Sequence, residues 1–310
     1  RNRDDVRALK AVRAAFDENP RSPWVIRTLF ALEVAAGHWA EAGAALTKAE
    51  KLKLLDASLI ARHRGALAYT EGLELQLAGS ADSAKKQFNK ALKYRPGFAP
   101  AVAALVRLEQ AAGSVRAAEK LVLKAWPNGP HPAVLRAYKA LDTSETDADW
   151  LTRAEKLFKA APDHPYTLDI VAEAAVAAHA YDRAKEVLRA RAPFLKTKLT
   201  AKTEIELARR LAQPTSSFEA ALADAAPNPH WHCSDCHTAQ EAWQALCPQC
   251  HAFDSLIWVQ TNADSHTAKA QIIDRTSPMP LTMLGLEAAG ANYGHGYKAP
   301  TANESTGPHD

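Results

Sequence analysis

Residues 78–96, AGSADSAKKQFNKALKYRP, and residues 112–130, AGSVRAAEKLVLKAWPNGP, carry the same pattern 34 residues apart. Each segment begins with Ala-Gly-Ser and ends with Pro. Between these ends, a small residue is followed four positions later by a large apolar residue and three positions after that by Ala. Small residues let two antiparallel helices approach closely, and the large residue fills the gap to the next pair. The two segments therefore predict the same unit, a helix that packs back on its predecessor.

The pattern extends over most of the N-terminal two thirds of the chain. It recurs as Ala42/Leu46/Ala49 and Ala154/Phe158/Ala161, and Gly72 stands where the first helix of such a unit needs a small residue. A period of 33–34 residues made of two helices is the tetratricopeptide (TPR) spacing. The alternative is an irregular bundle of Ala-rich helices. We predict a mainly α, TPR-like α-solenoid over residues 1–212, with helices at 4–17, 23–37, 39–53, 57–78, 81–94, 98–112, 114–126, 131–140, 148–160, 165–179, 181–191 and 198–212.

Composition supports packed helices and excludes some partners. The chain has 310 residues, with 38 basic and 35 acidic side chains, 13 Gly and 7% aromatic residues. Low Gly and aromatic content is typical of helical packing rather than of a sheet. A nearly balanced charge argues against nucleic acid as the main partner. Apolar runs such as residues 99–106 are too short to span a bilayer.

Three further regions follow the helical repeats. Residues 213–230 contain a short helical stretch between Pro and Asn signals and are predicted to be a linker. Residues 231–260 hold all four cysteines and form a predicted metal ribbon. Residues 261–310 show little periodicity, and we expect a largely disordered tail with a turn of helix at 280–289.

The cysteines form two Cys-x-x-Cys pairs, Cys233/Cys236 and Cys247/Cys250, with ten residues between the pairs. Two such knuckles and an intervening hairpin bring four sulfurs to one ion. Four thiolates close the coordination shell, which favours a structural zinc site in a reducing compartment over hydrolytic chemistry. We therefore predict a four-cysteine zinc ribbon of the rubredoxin-like type.

Two alternatives remain for the same cysteines. A tetrathiolate site also accepts a single Fe. Both knuckles are followed by His, His237 and His251, and Cys-x-x-Cys-His is the c-type haem attachment pattern. In that case the two histidines would be axial haem ligands, and the protein would be a redox or haem-handling protein. In the zinc interpretation, His232, His237 and His251 are exposed or donate hydrogen bonds to the thiolates.

The motifs around the cysteines resemble a known family. Trp231, the two knuckles, Trp243 and Phe253-Asp254-Ser255-Leu256-Ile257-Trp258, placed after TPR-like helices, are similar to the alphaproteobacterial form of the HemY family of haem-biosynthesis proteins. The family's knuckles commonly end in Gly rather than His. The LapB family, with TPR units and a rubredoxin-like ribbon, is a second candidate.

The HemY resemblance implies a TPR scaffold that contacts enzymes of late haem synthesis and has no catalytic residues of its own. It also implies an N-terminal pair of membrane helices, preceding the segment that begins at Arg1. Those helices would place the chain at the cytoplasmic face of the bacterial inner membrane.

The helical region contains no sequence motif of an enzyme. Gly-rich phosphate loops, His-Glu-x-x-His and Gly-x-Ser-x-Gly are missing from the sequence, so we expect a protein without catalytic activity. Five histidines, His38, His63, His131, His164 and His179, are predicted to be solvated. Aligning the repeats places six residues on first-helix faces as candidate contacts to a protein partner. These residues are Trp24, Arg27, Arg107, Tyr166, Asp169 and Glu173, and the alternative for each is an ordinary surface role.

Overall fold

The structure is a computed structural model that describes residues 3–260 and 271–272. Within this part of the chain, helices alternate as first and second members of antiparallel pairs, and a small sheet follows them. Most predicted helix ends lie within one or two residues of the observed ones. The helices are α1 Arg3–Glu18, α2 Pro23–Ala36, α3 Trp39–Lys51, α4 Ala57–Leu77, α5 Ala81–Tyr94, α6 Ala99–Ala111, α7 Val115–Ala125, α8 Pro132–Lys139, α9 Asp147–Ala160, α10 Pro165–Ala177, α11 Tyr181–Arg191, α12 Lys198–Arg210 and α13 Ser216–Asp224, with a 3-10 turn at Trp126–Asn128.

Capping side chains mark where helices begin. Asp56 begins α4 by accepting a hydrogen bond from the backbone N–H of Leu59. Thr146 and Asp149 form a reciprocal capping box at the start of α9. Such signals depend only on neighbouring residues, and for this reason the sequence predicts the helices well.

The repeat pattern corresponds to the packing between paired helices. Ala84, Phe88 and Ala91 are fully buried, and a Cβ added to Gly72 would lie only 2.6 Å from Phe88. The expected role of Phe158 is wrong in one respect. Leu157 is a fully buried large residue of α9, whereas Phe158 is half-buried beneath the guanidinium of Arg183. The mainly α, TPR-like fold is confirmed.

The sheet that follows the helices has four antiparallel strands in the order β2-β1-β3-β4. Strand β1 pairs Trp231 with Trp258 and Cys233 with Leu256 of β3. The side chains of Trp231 and Cys233 are therefore on one buried face of β1, because strand residues alternate between faces. The strands are β1 His230–Cys233, β2 Ala239–Gln240, β3 Leu256–Gln260 and β4 Gln271–Ile272.

The predicted linker contains α13 and is tied to the helical region. Ala226 forms a parallel bridge with Thr197, and its carbonyl accepts a 2.9 Å hydrogen bond from the N–H of Lys198. In the predicted tail, Gln271–Ile272 form β4 against β3. The other tail predictions, including the helical turn at 280–289, lie outside the described residues. None of the described helices has the combination of length and hydropathy needed to cross a membrane.

Candidate metal ribbon and open cleft

The four cysteine sulfurs are brought together at one point of the sheet. All four Sγ atoms lie within 4.8 Å of one another, and the pairs Cys233/Cys250 and Cys236/Cys247 are each 3.6 Å apart. Two thiolates bound to one tetrahedral zinc at about 2.3 Å would be roughly 3.8 Å apart. The sulfurs are too far apart for disulfide bonds, and all four cysteines are free. The arrangement is compatible with one bound metal ion.

Each knuckle ends in a histidine whose backbone is in the left-handed conformation. The N–H groups of His237 and His251 donate 3.0 and 2.9 Å hydrogen bonds to the carbonyls of Cys233 and Cys247, with φ of 59° and 58°. Glycine adopts this conformation without steric cost, whereas a residue with a side chain adopts it only rarely. Both imidazoles are exposed.

Two side-chain hydroxyls contact the sulfurs, and neither was predicted from the sequence. Thr238 Oγ1 lies 2.7 Å from Cys236 Sγ, and Ser255 Oγ lies 3.3 Å from Cys233 Sγ. Within the described residues, no hydrogen bond joins His237 or His251 to a sulfur. The spacing of Thr238, two residues after a ligand, is the signal that could have indicated its role.

Hydrogen bonding and burial shift the pKa values of the thiols in opposite directions. The hydrogen bond with Thr238 lowers the pKa of Cys236 to about 6. Burial raises the pKa values of Cys233 and Cys250. Since the metal-binding form is the thiolate, a bound ion must displace protons from Cys233 and Cys250. Metal affinity at this site should therefore rise with pH.

The ribbon is anchored to the helical repeats by one buried carboxylate. The Asp254 side chain is 0% exposed, and its oxygens lie 3.2 Å from Arg62 Nε, 3.1 Å from Arg95 Nη1 and 3.1 Å from His63 Nδ1. The backbone carbonyl of Asp254 accepts a further hydrogen bond from Arg62 Nη2. Burial raises the pKa of Asp254, but the two guanidiniums and His63 outweigh burial and hold it below its usual value. Asp254 is therefore ionised at neutral pH.

Aromatic side chains surround this anchor. Trp243, from the hairpin between the knuckles, packs edge-on against Tyr69 at 5.3 Å and Phe98 at 5.0 Å between ring centroids. Phe253 meets Phe30 at 5.5 Å in the same manner. Such contacts add to the energy of burial. These residues belong to one hydrophobic core that spans the first helices and the ribbon, so the ribbon does not depend on its own small core.

Two histidines that were expected to be solvated lie in this interface. His63 contacts Asp254, and His131 is 5% exposed and lies 4.0 Å from Trp258 and 5.4 Å from Trp231 between ring centroids. His131 Nδ1 also accepts a hydrogen bond from the backbone N–H of Ala133 and so caps α8. Burial, and to a smaller extent the positive charge of Arg136, lowers the pKa of His131 to about 3. The expectation was wrong because the ribbon that covers these histidines is distant in sequence.

Beside the ribbon, the first helices α8 and α10 leave a cleft of about 350 Å³. Asn228 and Pro229, just before β1, form part of its wall, and we call it the open cleft. Three of the six predicted contact residues line it, namely Tyr166, Asp169 and Glu173. Burial, followed by the charge of Glu173, raises the pKa of Tyr166.

The other three predicted contact residues are not part of this cleft. Trp24 is 62% exposed in the first turn of α2, and Arg107 is exposed on α6. Arg27 is half-buried on α2.

Asp169 has a structural role in addition to lining the cleft. Its side chain is 3% exposed and accepts hydrogen bonds from Arg191 Nε at 2.9 Å and Thr200 Oγ1 at 2.7 Å. These bonds join α10 to the end of α11 and to α12. The buried Arg191 also lines the cleft, and within the described residues its Nη1 has no hydrogen-bond partner. The ordinary surface role that was the alternative for Asp169 is therefore wrong.

The chain is similar to several solved structures at low identity, and two of the three named here are described as TPR proteins or domains. A tetratricopeptide repeat protein from Parabacteroides merdae is 14% identical, with 68% of this chain and 81% of that chain covered and a TM-score of 0.32. PilF of Pseudomonas aeruginosa is 14% identical, with 70% and 89% covered and a TM-score of 0.33. The TPR domain of P58(IPK) is 12% identical, with 72% and 92% covered and a TM-score of 0.23.

Sequence comparisons add no relative. No protein-family model matches the chain, and no curated protein matches it significantly. The class of protein is therefore defined by the fold and the site, as a TPR-like helical repeat with a four-cysteine ribbon packed on its first helices.

Proposed function

We propose that this protein is a non-catalytic scaffold that binds a protein partner in the open cleft and is stabilised by a structural zinc ion in its ribbon. The observation that carries this proposal is the buried Asp254 anchor, because it makes the ribbon part of the helical scaffold. The ribbon occupies the faces of the early first helices. The cleft at α8 and α10 remains available to a partner.

Zinc is supported by the convergence of four sulfurs on one point. Two c-type haems would need the two cysteine pairs to attach to separate macrocycles, whereas here sulfurs of different pairs lie 3.6 Å apart. Iron in the same site is the remaining alternative, and it would make the ribbon a redox centre. Elemental analysis and a visible spectrum of the purified protein test this. One zinc and no colour are expected, a red ferric spectrum would indicate iron, and a Soret band would indicate haem.

The partner that fits the cleft is an extended protein segment with apolar side chains and an acidic group. Leu135, Ile170 and Leu199 supply apolar lining, and Arg136 and Lys139 are exposed cations in the same wall. A volume of about 350 Å³ suits a few side chains of such a segment. This is binding of a peptide along first-helix faces, as in other helical repeats.

Site-specific photo-crosslinking in the native cell tests the partner site. A photoreactive residue at Glu173, in the cleft, should give a discrete crosslinked protein. The matched control is the same residue at the exposed Lys159 on α9, a second helix outside the cleft. No crosslink at Glu173, or the same crosslinks at both positions, would contradict a partner in the cleft.

The particular assignment we propose is a HemY-type protein that contacts enzymes of late haem biosynthesis at the cytoplasmic face of the inner membrane. It is supported by the roles of the residues that carry the resemblance. Trp243, Phe253 and Asp254 are the ones that dock the ribbon. A porphyrin-modifying enzyme in the Glu173 crosslink would support this assignment. A crosslinked protein without a role in porphyrin chemistry would contradict it.

A further inference from the structure

Three histidines lie near one another on the exposed side of the ribbon. His230 and His232 are on the same face of β1, opposite the buried Trp231 and Cys233. His237 follows the first knuckle and turns back toward them. The Nε2 of His232 and the Nδ1 of His237 are 3.4 Å apart. None of these imidazoles has a role in the proposed four-cysteine site.

We propose that His232 and His237 form a second, exposed metal site that binds a tetrahedral divalent ion such as Zn²⁺ through one imidazole nitrogen each. Two nitrogens bound to zinc at about 2.0–2.1 Å, at the tetrahedral angle, are roughly 3.3–3.4 Å apart. The observed distance of 3.4 Å between His232 Nε2 and His237 Nδ1 agrees with this value. A direct hydrogen bond between the rings would normally be shorter, at about 2.7–3.2 Å.

The backbone holds both rings on a rigid frame. His232 is fixed in β1 between Ala239 of β2 and Ile257 of β3. His237 is held by its N–H bond to the carbonyl of Cys233. The sheet and the knuckle therefore fix the backbone positions of both residues, so only their side-chain rotamers have to be ordered when an ion binds.

Two protein ligands leave positions for water or for a ligand from another molecule, in contrast to the closed shell of four thiolates. His230 does not complete the site here. Its ring centroid is 6.2 Å from that of His232, and its Nδ1 faces the carbonyl of Asn228 at 3.2 Å. The proposed site is thus an exchangeable one, distinct in accessibility from the buried centre.

The test uses the full chain, without an affinity tag, loaded with one equivalent of Zn²⁺ so that the cysteines are occupied. Titration with further Zn²⁺ against a colorimetric chelator should show one additional equivalent. The variants His232→Thr and His237→Asn should each weaken binding of the second equivalent of Zn²⁺ by at least about tenfold. Loss of a group that only hydrogen-bonds a metal ligand already costs about tenfold or more in metal affinity, and loss of the ligand itself should cost no less. Asn is chosen at position 237 because it tolerates the positive φ.

His251→Asn is the matched control, since His251 occupies the equivalent left-handed position of the second knuckle. This variant should keep both equivalents. The first equivalent and the protection of the cysteines from thiol reagents must survive in every variant, which shows that the ribbon is folded. Absence of a second equivalent in the native chain, its persistence in His237→Asn, or its equal loss in His251→Asn would overturn the proposal. The first equivalent reports separately on the four-cysteine site.

Discussion

Asp254→Asn removes the charge that anchors the ribbon and changes little else. Asn has nearly the same shape as Asp, and it tolerates the positive φ of 49° at this position. The variant leaves the guanidiniums of Arg62 and Arg95 without the carboxylate that they contact at 3.2 and 3.1 Å.

The expected cost follows from burial. The side chains of Asp254 and Arg62 are 0% and 4% exposed, so the remaining positive charge cannot be hydrated by a small shift. Removing one partner of such a buried pair costs about 3–5 kcal/mol of unfolding free energy. Arg62→Met in the same chain should restore part of this loss, because it removes the uncompensated charge.

Urea unfolding of the zinc-loaded protein, followed by tryptophan fluorescence, measures this cost. An increase in acrylamide quenching over the native chain at zero urea reports whether buried ribbon tryptophans such as Trp243, which is 7% exposed, become accessible. Asp235→Asn is the control, since the half-buried Asp235 accepts a hydrogen bond only from its neighbour Ser234 among the described residues. Stability of Asp254→Asn within about 1 kcal/mol of the native chain, with unchanged quenching, would refute the anchor.

Further variants and one treatment test the remaining parts of the structure. Gly72→Ala should cost about 1–3 kcal/mol in thermal unfolding, because its Cβ would lie 2.6 Å from Phe88. Gly43→Ala in α3, with nothing within 4 Å of its Cβ, should instead gain about 0.5–1 kcal/mol. His131 is neutral when folded, so acid favours the unfolded state between its ordinary pKa of 6.5 and its folded value of about 3. His131 should contribute about 2 kcal/mol to the fall in unfolding free energy from neutral pH to pH 5. The variant His131→Asn, which keeps the helix cap, should remove this contribution in urea titrations at each pH, and an unchanged slope would contradict it. Metal removal by a strong chelator should shift the emission of Trp243 to the red with little loss of helical circular dichroism, whereas unfolding of the helices would show that they depend on the ion.

The helices and the knuckles could be read from neighbouring residues. Proline, Asp and Thr caps, and Ala/Phe spacings such as Ala84/Phe88 all act within a few positions along the chain. The two Cys-x-x-Cys pairs likewise place their sulfurs through short-range backbone geometry. The error at Phe158 is a shift of one residue, because Leu157 is the large buried residue at this point of α9.

The position of the ribbon could not be read in this way. Asp254 contacts His63 across 191 positions of sequence, and the residues around either one do not predict this contact. The prediction that His63 and His131 are solvated failed for this reason.

The sequence alone determined a repeat of helical pairs and four cysteines spaced for one ion, because caps, periodicity and knuckles are properties of nearby residues. The tertiary structure alone decided that the ribbon packs on the first helices through Asp254 and Trp243, that Asp169 is an internal link to Arg191, and that a cleft stays open beside them. The physical reason is that burial and ion pairing depend on which distant surfaces meet. That choice is settled by the packing of the whole chain.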